Sequence, residues 1–217
     1  MHYRPPSMDI GDPEKYYWPK AMARLQQFGV TDSLANFWIT AFASRSPFHF
    51  TLLGMARLMH LFPAAPAMRA HRLLILQRVF ARTDNHNVLT SEGTENHINM
   101  ARTSGYLFAQ AALQYPEHFP DAARHMQMLK EWLLTWAQRT YRHGTAEWNS
   151  SIYTFYNLAG WLNLYDFAKD PEVKAAAEAV LDYYATEMAL HYSFGLPGGS
   201  EMRGNGVPGN AQTASAW

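Results

Sequence analysis

Apolar residues along this chain return every three or four positions rather than every second one. That period predicts helices almost throughout. From Asp121 to Tyr141 the apolar positions are Ala122, Met126, Leu129, Leu133, Trp136 and Ala137, a stripe that faces a core. A helix over 148–168 follows and stops at Lys169-Asp170-Pro171-Glu172. The stop is also a start: Asp170 suits an N-cap, Pro171 a first turn, and Glu172 the positive end of the helix dipole. The next helix, over 172–191, is predicted to bury Val173, Ala176, Val180, Tyr184 and Met188.

Earlier segments follow the same pattern. Asp12-Pro13-Glu14 opens a helix that runs to about Phe28, and Thr31-Asp32 opens another to about Ala43. Helices over 51–62 and 67–82 are separated by Pro63 and Pro66, and one over 94–115 closes at Pro116 and Pro120. Eight helices result, in about four sequential pairs, and no stretch alternates as a strand would. The predicted fold is all-α, an array of antiparallel helical hairpins. A bundle with short loops is one form of it. An (α/α) toroid, complete or incomplete, is the other, with helices 94–115 and 148–168 lining a central cleft and 172–191 outside. Residues 1–194 read as one helical domain. The tail 195–217 reads as a loop, since glycines recur from Gly195 to Gly209 with Pro197 and Pro208 among them. A glycine-rich loop normally leads into another element, so the sequence reads as part of a longer protein.

Composition narrows the function. The 217 residues carry 18 Lys+Arg and 18 Asp+Glu, so formal charge is zero. A balanced chain lacks the field that drives non-specific nucleic-acid binding. Cysteine is absent, which removes disulfides, thiolate catalysis and cysteine-ligated metals. Charged residues make up 17%, below the roughly 25% of ordinary domains. Aromatics reach 14%, so the chain is rich in flat rings with polar edges. No apolar run is long enough to span a membrane. The first residues, MHYRPPSMDIGDPEKYYW, lack a signal-peptide core. The expected location is periplasmic or secreted if a leader has been removed, and cytoplasmic otherwise.

Three stretches carry candidate chemistry. Thr94-Glu95-Asn96-His97 opens a helix after the polar run 83–87. A helix start offers N–H groups and positive potential to an anion, and Asn96 and His97 add hydrogen bonds. The plainer reading has Thr94 as a cap and Glu95 answering the dipole. Glu147-Trp148-Asn149 leads the next polar helix, where Asn149, Tyr153, Tyr156 and Asn157 are expected on one face. Ile152, Phe155, Leu158, Ala159 and Leu162 are expected on the opposite, core face. Rings stack on sugars while amides and phenols reach hydroxyls, though half-buried tyrosines with satisfied hydroxyls would give the same pattern. In the loop Gly198-Gly199-Ser200-Glu201-Met202-Arg203-Gly204, Arg203 suits a carboxylate; an incidental loop arginine is the plainer reading.

Several motifs are missing: HExxH, GxGxxG, the P-loop and GxSxG. His60 and His71, and His86 and His97, are eleven apart, but proline interrupts the first pair and Gly93 the second. No metal and no cofactor are therefore expected.

The segments TENHINMARTSGYLFAQ (94–110) and GTAEWNSSIYTFYNLAGWLNLYDFAKDPEVKAAAEAVLDYY (144–184), with the GGSEMRG loop (198–204), resemble bacterial α/α-toroid polysaccharide lyases that cleave uronate polymers such as glucuronan or alginate. The resemblance covers about residues 80–205; the first eighty match only in being helical. It implies β-elimination. The C6 carboxylate of a uronate is neutralised, a base removes the C5 proton, and an acid protonates the departing glycosidic oxygen. By position, Asn96 and His97 would be neutraliser and base, Tyr153 base or acid, and Arg203 a further carboxylate partner. Tyr156 is a weaker substitute for Tyr153. Glu95, Glu147, Trp148, Asn149, Tyr156 and Asn157 would contact substrate. A tyrosine phenol ionises near 10, so a basic role needs a cationic neighbour. The implied partner is an acidic polysaccharide or oligosaccharide, with no nucleic acid and no membrane.

Two alternatives use the same residues. A glycoside hydrolase on the same toroid would use Glu95 and Glu147 as acid and base, with carboxyl groups roughly 5–9.5 Å apart. A non-catalytic helical binding module would present an apolar groove without converging polar groups.

Overall fold

The computed structural model describes residues 13–150, 153–193 and 196–197. The fold is all-α. Its helices are α1 (Pro13–Phe28), α2 (Ser33–Ala43), α3 (His49–Leu61), α4 (Pro66–Phe80), α5 (Glu95–Ala112), α6 (Ala122–His143), α7 (Tyr153–Phe167) and α8 (Pro171–His191). After them, β1 (Tyr192–Ser193) pairs antiparallel with β2 (Leu196–Pro197). Two compact units result, residues 1–78 and 79–217, where the sequence reads as one helical domain over 1–194.

In the first unit α1 packs on both α2 and α3. Asp32 caps α2: its Oδ1 accepts from the Ala35 amide at 2.8 Å, while Arg24 of α1 grips both carboxylate oxygens. Asn36 carries that order onward. Its Nδ2 donates to the Val30 and Asp32 carbonyls, and its Oδ1 accepts from the Ala67 amide at the start of α4. Gly54 of α3 lets α1 come close, since a Cβ there would lie 2.1 Å from Trp18 Cγ.

The second unit contains two hairpins side by side. α5 packs on α6 and on α7, and α8 packs on α7 and on α6. α5 and α7 run in the same direction, because their paired positions rise together along both segments. Three polar rungs between α5 and α7 fix that parallel register. At the N-terminal end Glu95 and Asn96 meet Glu147. In the middle, Asn99 Nδ2 donates to Asn157 Oδ1 at 2.8 Å. At the far end Gln110 donates to the Phe167 carbonyl and accepts from the Lys169 amide. Buried amides need such partners, because an unmet one costs about 1–3 kcal/mol. Between the rungs the backbones approach closely: a Cβ on Gly160 of α7 would lie 2.4 Å from Thr103 Oγ1 of α5.

Apolar burial surrounds this ladder. Leu107, Phe108, Trp161, Leu164, Leu129, Leu133, Val173 and Val180 are fully buried. The α6 stripe lies as its spacing predicts for Ala122, Leu129, Leu133 and Ala137, while Met126 and Trp136 are only half-buried. On α8, Ala177 is buried in place of Ala176. Asp170 accepts from the Glu172 amide at the start of α8 and pairs with Lys130 of α6 at 2.7 Å.

The predicted faces of α7 hold only in part: Leu158 and Ala159 of the expected core face are half-buried, as are Tyr153 and Tyr156 of the polar face, while Asn157 turns inward. Phe155 and Leu162, expected in the core, are 37% and 42% exposed. Thr154, Asn157, Gly160, Trp161, Asn163 and Leu164 are the buried positions. Apolar residues surround this helix, so hydrophobicity does not choose a side. The choice falls to the amides and Gly160, which have matching partners on α5. Ile152 lies outside the described residues.

Candidate functional site

The N-terminal ends of α5 and α7 lie side by side, and the last turns of α8 close on the same end. The turn before α7, residues 146–149, joins all three. Glu147 is its pivot. Glu147 is 3% exposed, and its Oε2 accepts from the Asn96 amide at 2.9 Å and from Asn157 Nδ2 at 3.3 Å. In return Glu95 Oε2 accepts from the Glu147 amide at 2.8 Å. Two glutamates thus exchange backbone amides between hairpins. The first turn of α5 has an orphan amide, as every helix start does, and a carboxylate from the neighbouring hairpin fills it.

Burial pushes the Glu95 carboxyl above its ordinary value, and the charge of Glu147 adds to the rise; the amides of Glu147 and Ala146 and the charge of Arg139 oppose it. Tyr184 of α8 is pushed well up, by burial first and then by the charges of Glu95, Glu187 and Glu147. Burial also raises Tyr183, helped by its hydrogen bond to Glu187. This end of the unit is therefore rich in carboxylates.

The expected site residues divide. Asn96 is fully buried, and its Oδ1 accepts from Thr94 Oγ1 at 2.6 Å. Thr94 therefore does not cap α5 with its side chain. Asn157 is also buried, between Asn99 and Glu147. These two amides, one expected to neutralise a carboxylate and the other to contact substrate, and Glu147, expected to contact substrate, are buried and tie helices together inside the unit. Glu95, His97, Trp148, Asn149, Tyr153 and Tyr156 are half-buried. His97 stands on the first turn of α5 and Tyr153 is the first residue of α7, so parallel packing brings both to one end. Tyr156 packs edge-on against Phe155. Asn149 has φ of +50°, the left-handed region that asparagine tolerates better than most residues. Arg203 and the loop 198–204 lie outside the described residues, as does Ser151.

Three residues of α8 outside its apolar stripe, Tyr183, Glu187 and His191, belong to the same end. Glu187 Oε1 accepts from Trp148 Nε1 at 3.1 Å and from the Tyr183 hydroxyl at 2.5 Å. His191 stands edge-on to the Trp148 ring, 4.8 Å between centroids. The signal is in the sequence: Tyr183, Glu187 and His191 are spaced by four, so they share one helix face. Among the described residues, no group of three or more His, Asp or Glu side chains is placed to hold a metal ion. No described helix is long and apolar enough to cross a membrane.

No protein-family model matches the chain, and neither a curated protein nor a solved structure is significantly similar to it.

Proposed function

We propose that this protein is carbohydrate-active and cleaves a uronate-containing polysaccharide by β-elimination. The observation that supports it is the parallel packing of α5 on α7, which puts His97 and Tyr153 at the same end of adjacent helices, each half-buried. In this reading His97 removes the C5 proton of the uronate. Tyr153 protonates the glycosidic oxygen as the C4–O bond breaks and the C4–C5 double bond forms. General acid–base help of this kind contributes roughly 10²–10⁴-fold. Asn96 acts from beneath: buried and bound to Thr94 and Glu147, it fixes the turn that carries His97. Arg203 is the proposed partner of the uronate carboxylate, whose neutralisation acidifies the C5 proton. The two hairpins, with α5 and α7 as the inner pair and α6 and α8 as the outer pair, suit one sector of an (α/α) toroid.

A hydrolase reading has one observation in its favour, the raised carboxyl of Glu95 beside Glu147. Against it, both carboxylates are engaged by backbone amides across the hairpins. Incubation with glucuronan, alginate and other acidic polysaccharides separates the two. Elimination gives products that absorb in the ultraviolet through the new double bond. New reducing ends without that absorbance would replace elimination by hydrolysis, and no cleavage of any acidic polymer would reject both.

A further inference from the structure

We propose that Trp148, Glu187 and His191 form a subsite for an uncharged pyranose ring. The inference rests on the carbohydrate reading above but not on the elimination step. It starts from a fixed ring. The Trp148 indole N–H is held by Glu187 Oε1 at 3.1 Å, and the same oxygen is held by the Tyr183 hydroxyl at 2.5 Å. An indole anchored at its polar edge keeps one orientation, and a rigid aromatic ring is a low-entropy platform for the C–H face of a sugar.

His191 supplies the polar half. Its Nδ1 lies 2.7 Å from the Glu187 backbone carbonyl. A carbonyl oxygen only accepts, so Nδ1 carries the hydrogen. In the neutral ring Nε2 then carries the lone pair. The ring stands at 86° to Trp148, and both residues are half-buried rather than sealed. A flat apolar platform beside an oriented acceptor matches a pyranose, which presents a C–H face and donor hydroxyls together.

Charge chooses the kind of pyranose. Glu187 is within the subsite, its Oε1 3.1 Å from the Trp148 indole nitrogen. Glu187 makes no ion pair with a cationic side chain among the described residues; its carboxylate is engaged by the Trp148 indole and the Tyr183 hydroxyl. Like charges close together repel, so a uronate carboxylate is disfavoured here. The polymer would therefore present an uncharged residue to Trp148 and an acidic one to His97 and Tyr153.

The test is binding to the intact protein, followed by indole fluorescence and by the ¹⁵N resonance of His191 Nε2. The probes are uncharged xylo-, manno- and gluco-oligosaccharides, and oligoglucuronates of equal length. At least one uncharged series is expected to bind about tenfold more tightly than the uronates, to quench Trp148 and to shift the Nε2 resonance. His191→Ala is expected to lose about tenfold in that affinity with an unchanged circular dichroism spectrum, and Glu187→Gln to narrow the preference against uronates. Uronates that bind as tightly as every uncharged series, or an Nε2 resonance that ignores bound sugar, would overturn the subsite. The wild-type resonance decides the matter even if the His191 variant does not fold. Uncharged binding without unsaturated products rejects the elimination alone. Elimination on a pure uronate polymer without uncharged binding rejects the subsite alone.

Discussion

Glu147 accepts the Asn96 amide at 2.9 Å, and Glu95, next to Asn96 in the chain, accepts the Glu147 amide at 2.8 Å. This reciprocal pair joins two hairpins whose contact residues lie some fifty positions apart. It fixes the height of His97 relative to the turn that precedes Tyr153. The positions of the proposed reacting groups therefore depend on two carboxylates that need not touch substrate.

Removing the Glu147 carboxylate tests that dependence. Glu147→Ala leaves the Asn96 amide and Asn157 Nδ2 without their buried acceptor. It is expected to destabilise the protein by about 3 kcal/mol in urea unfolding. Glu147→Gln keeps one acceptor oxygen and is expected to cost less.

The raised Glu95 carboxyl has a pH signature. Its folded value lies above the ordinary 4.5, so the folded state holds the proton more tightly than the unfolded state. Its contribution is fully present below pH 4.5 and is lost as pH rises through the folded value. Glu95→Gln removes this titration and keeps an acceptor for the Glu147 amide. Urea unfolding from pH 4 to pH 7 is expected to move the variant's stability upward relative to wild type as pH rises. A difference that is flat in pH would contradict the assignment.

Close approach of α5 and α7 is tested at Gly160. A Cβ there meets Thr103 Oγ1 at 2.4 Å, so Gly160→Ala is expected to cost about 1–3 kcal/mol through overpacking. Adding Thr103→Ala removes the clashing hydroxyl. The double variant should cost less than the sum of the single variants, which a double-mutant cycle measures directly.

Asn149 holds a left-handed backbone at φ of +50°. Asn149→Val is expected to cost about 1–2 kcal/mol, whereas Asn149→Gly removes the steric penalty and should cost less. Thermal or urea unfolding of the two variants checks this.

The helices were legible in the sequence because their ends and apolar periods are local. Asp32, Pro66 and Asp170-Pro171 mark starts within a residue or two, and the α6 stripe places Leu129, Leu133 and Ala137 in the core. The inside of α7 was not legible. Phe155 and Leu162 are as apolar as its buried residues, and Asn157 turns inward because Asn99 and Glu147 meet it from other segments. No local pattern records such pairings. The same limit hid the role of Asn96, whose position at a helix start suggested an anion site although a distant carboxylate already occupies its amide. By contrast Tyr183, Glu187 and His191 were readable at a spacing of four. They lie outside the apolar stripe of α8, so hydrophobic periodicity alone does not mark them. Paired substitutions check the observed faces: Phe155→Gln and Leu162→Gln should each cost less than Trp161→Ala, expected at about 3–5 kcal/mol, while Asn157→Ala should cost about 1–3 kcal/mol.

The most direct measurement is the rate of double-bond formation on glucuronan and alginate by wild type and by Tyr153→Phe, with circular dichroism confirming the fold. Removing one hydroxyl should leave the helices intact and cut the rate at least about a hundredfold, the lower range of general acid–base catalysis. A folded Tyr153→Phe protein that eliminates at the wild-type rate would contradict the account.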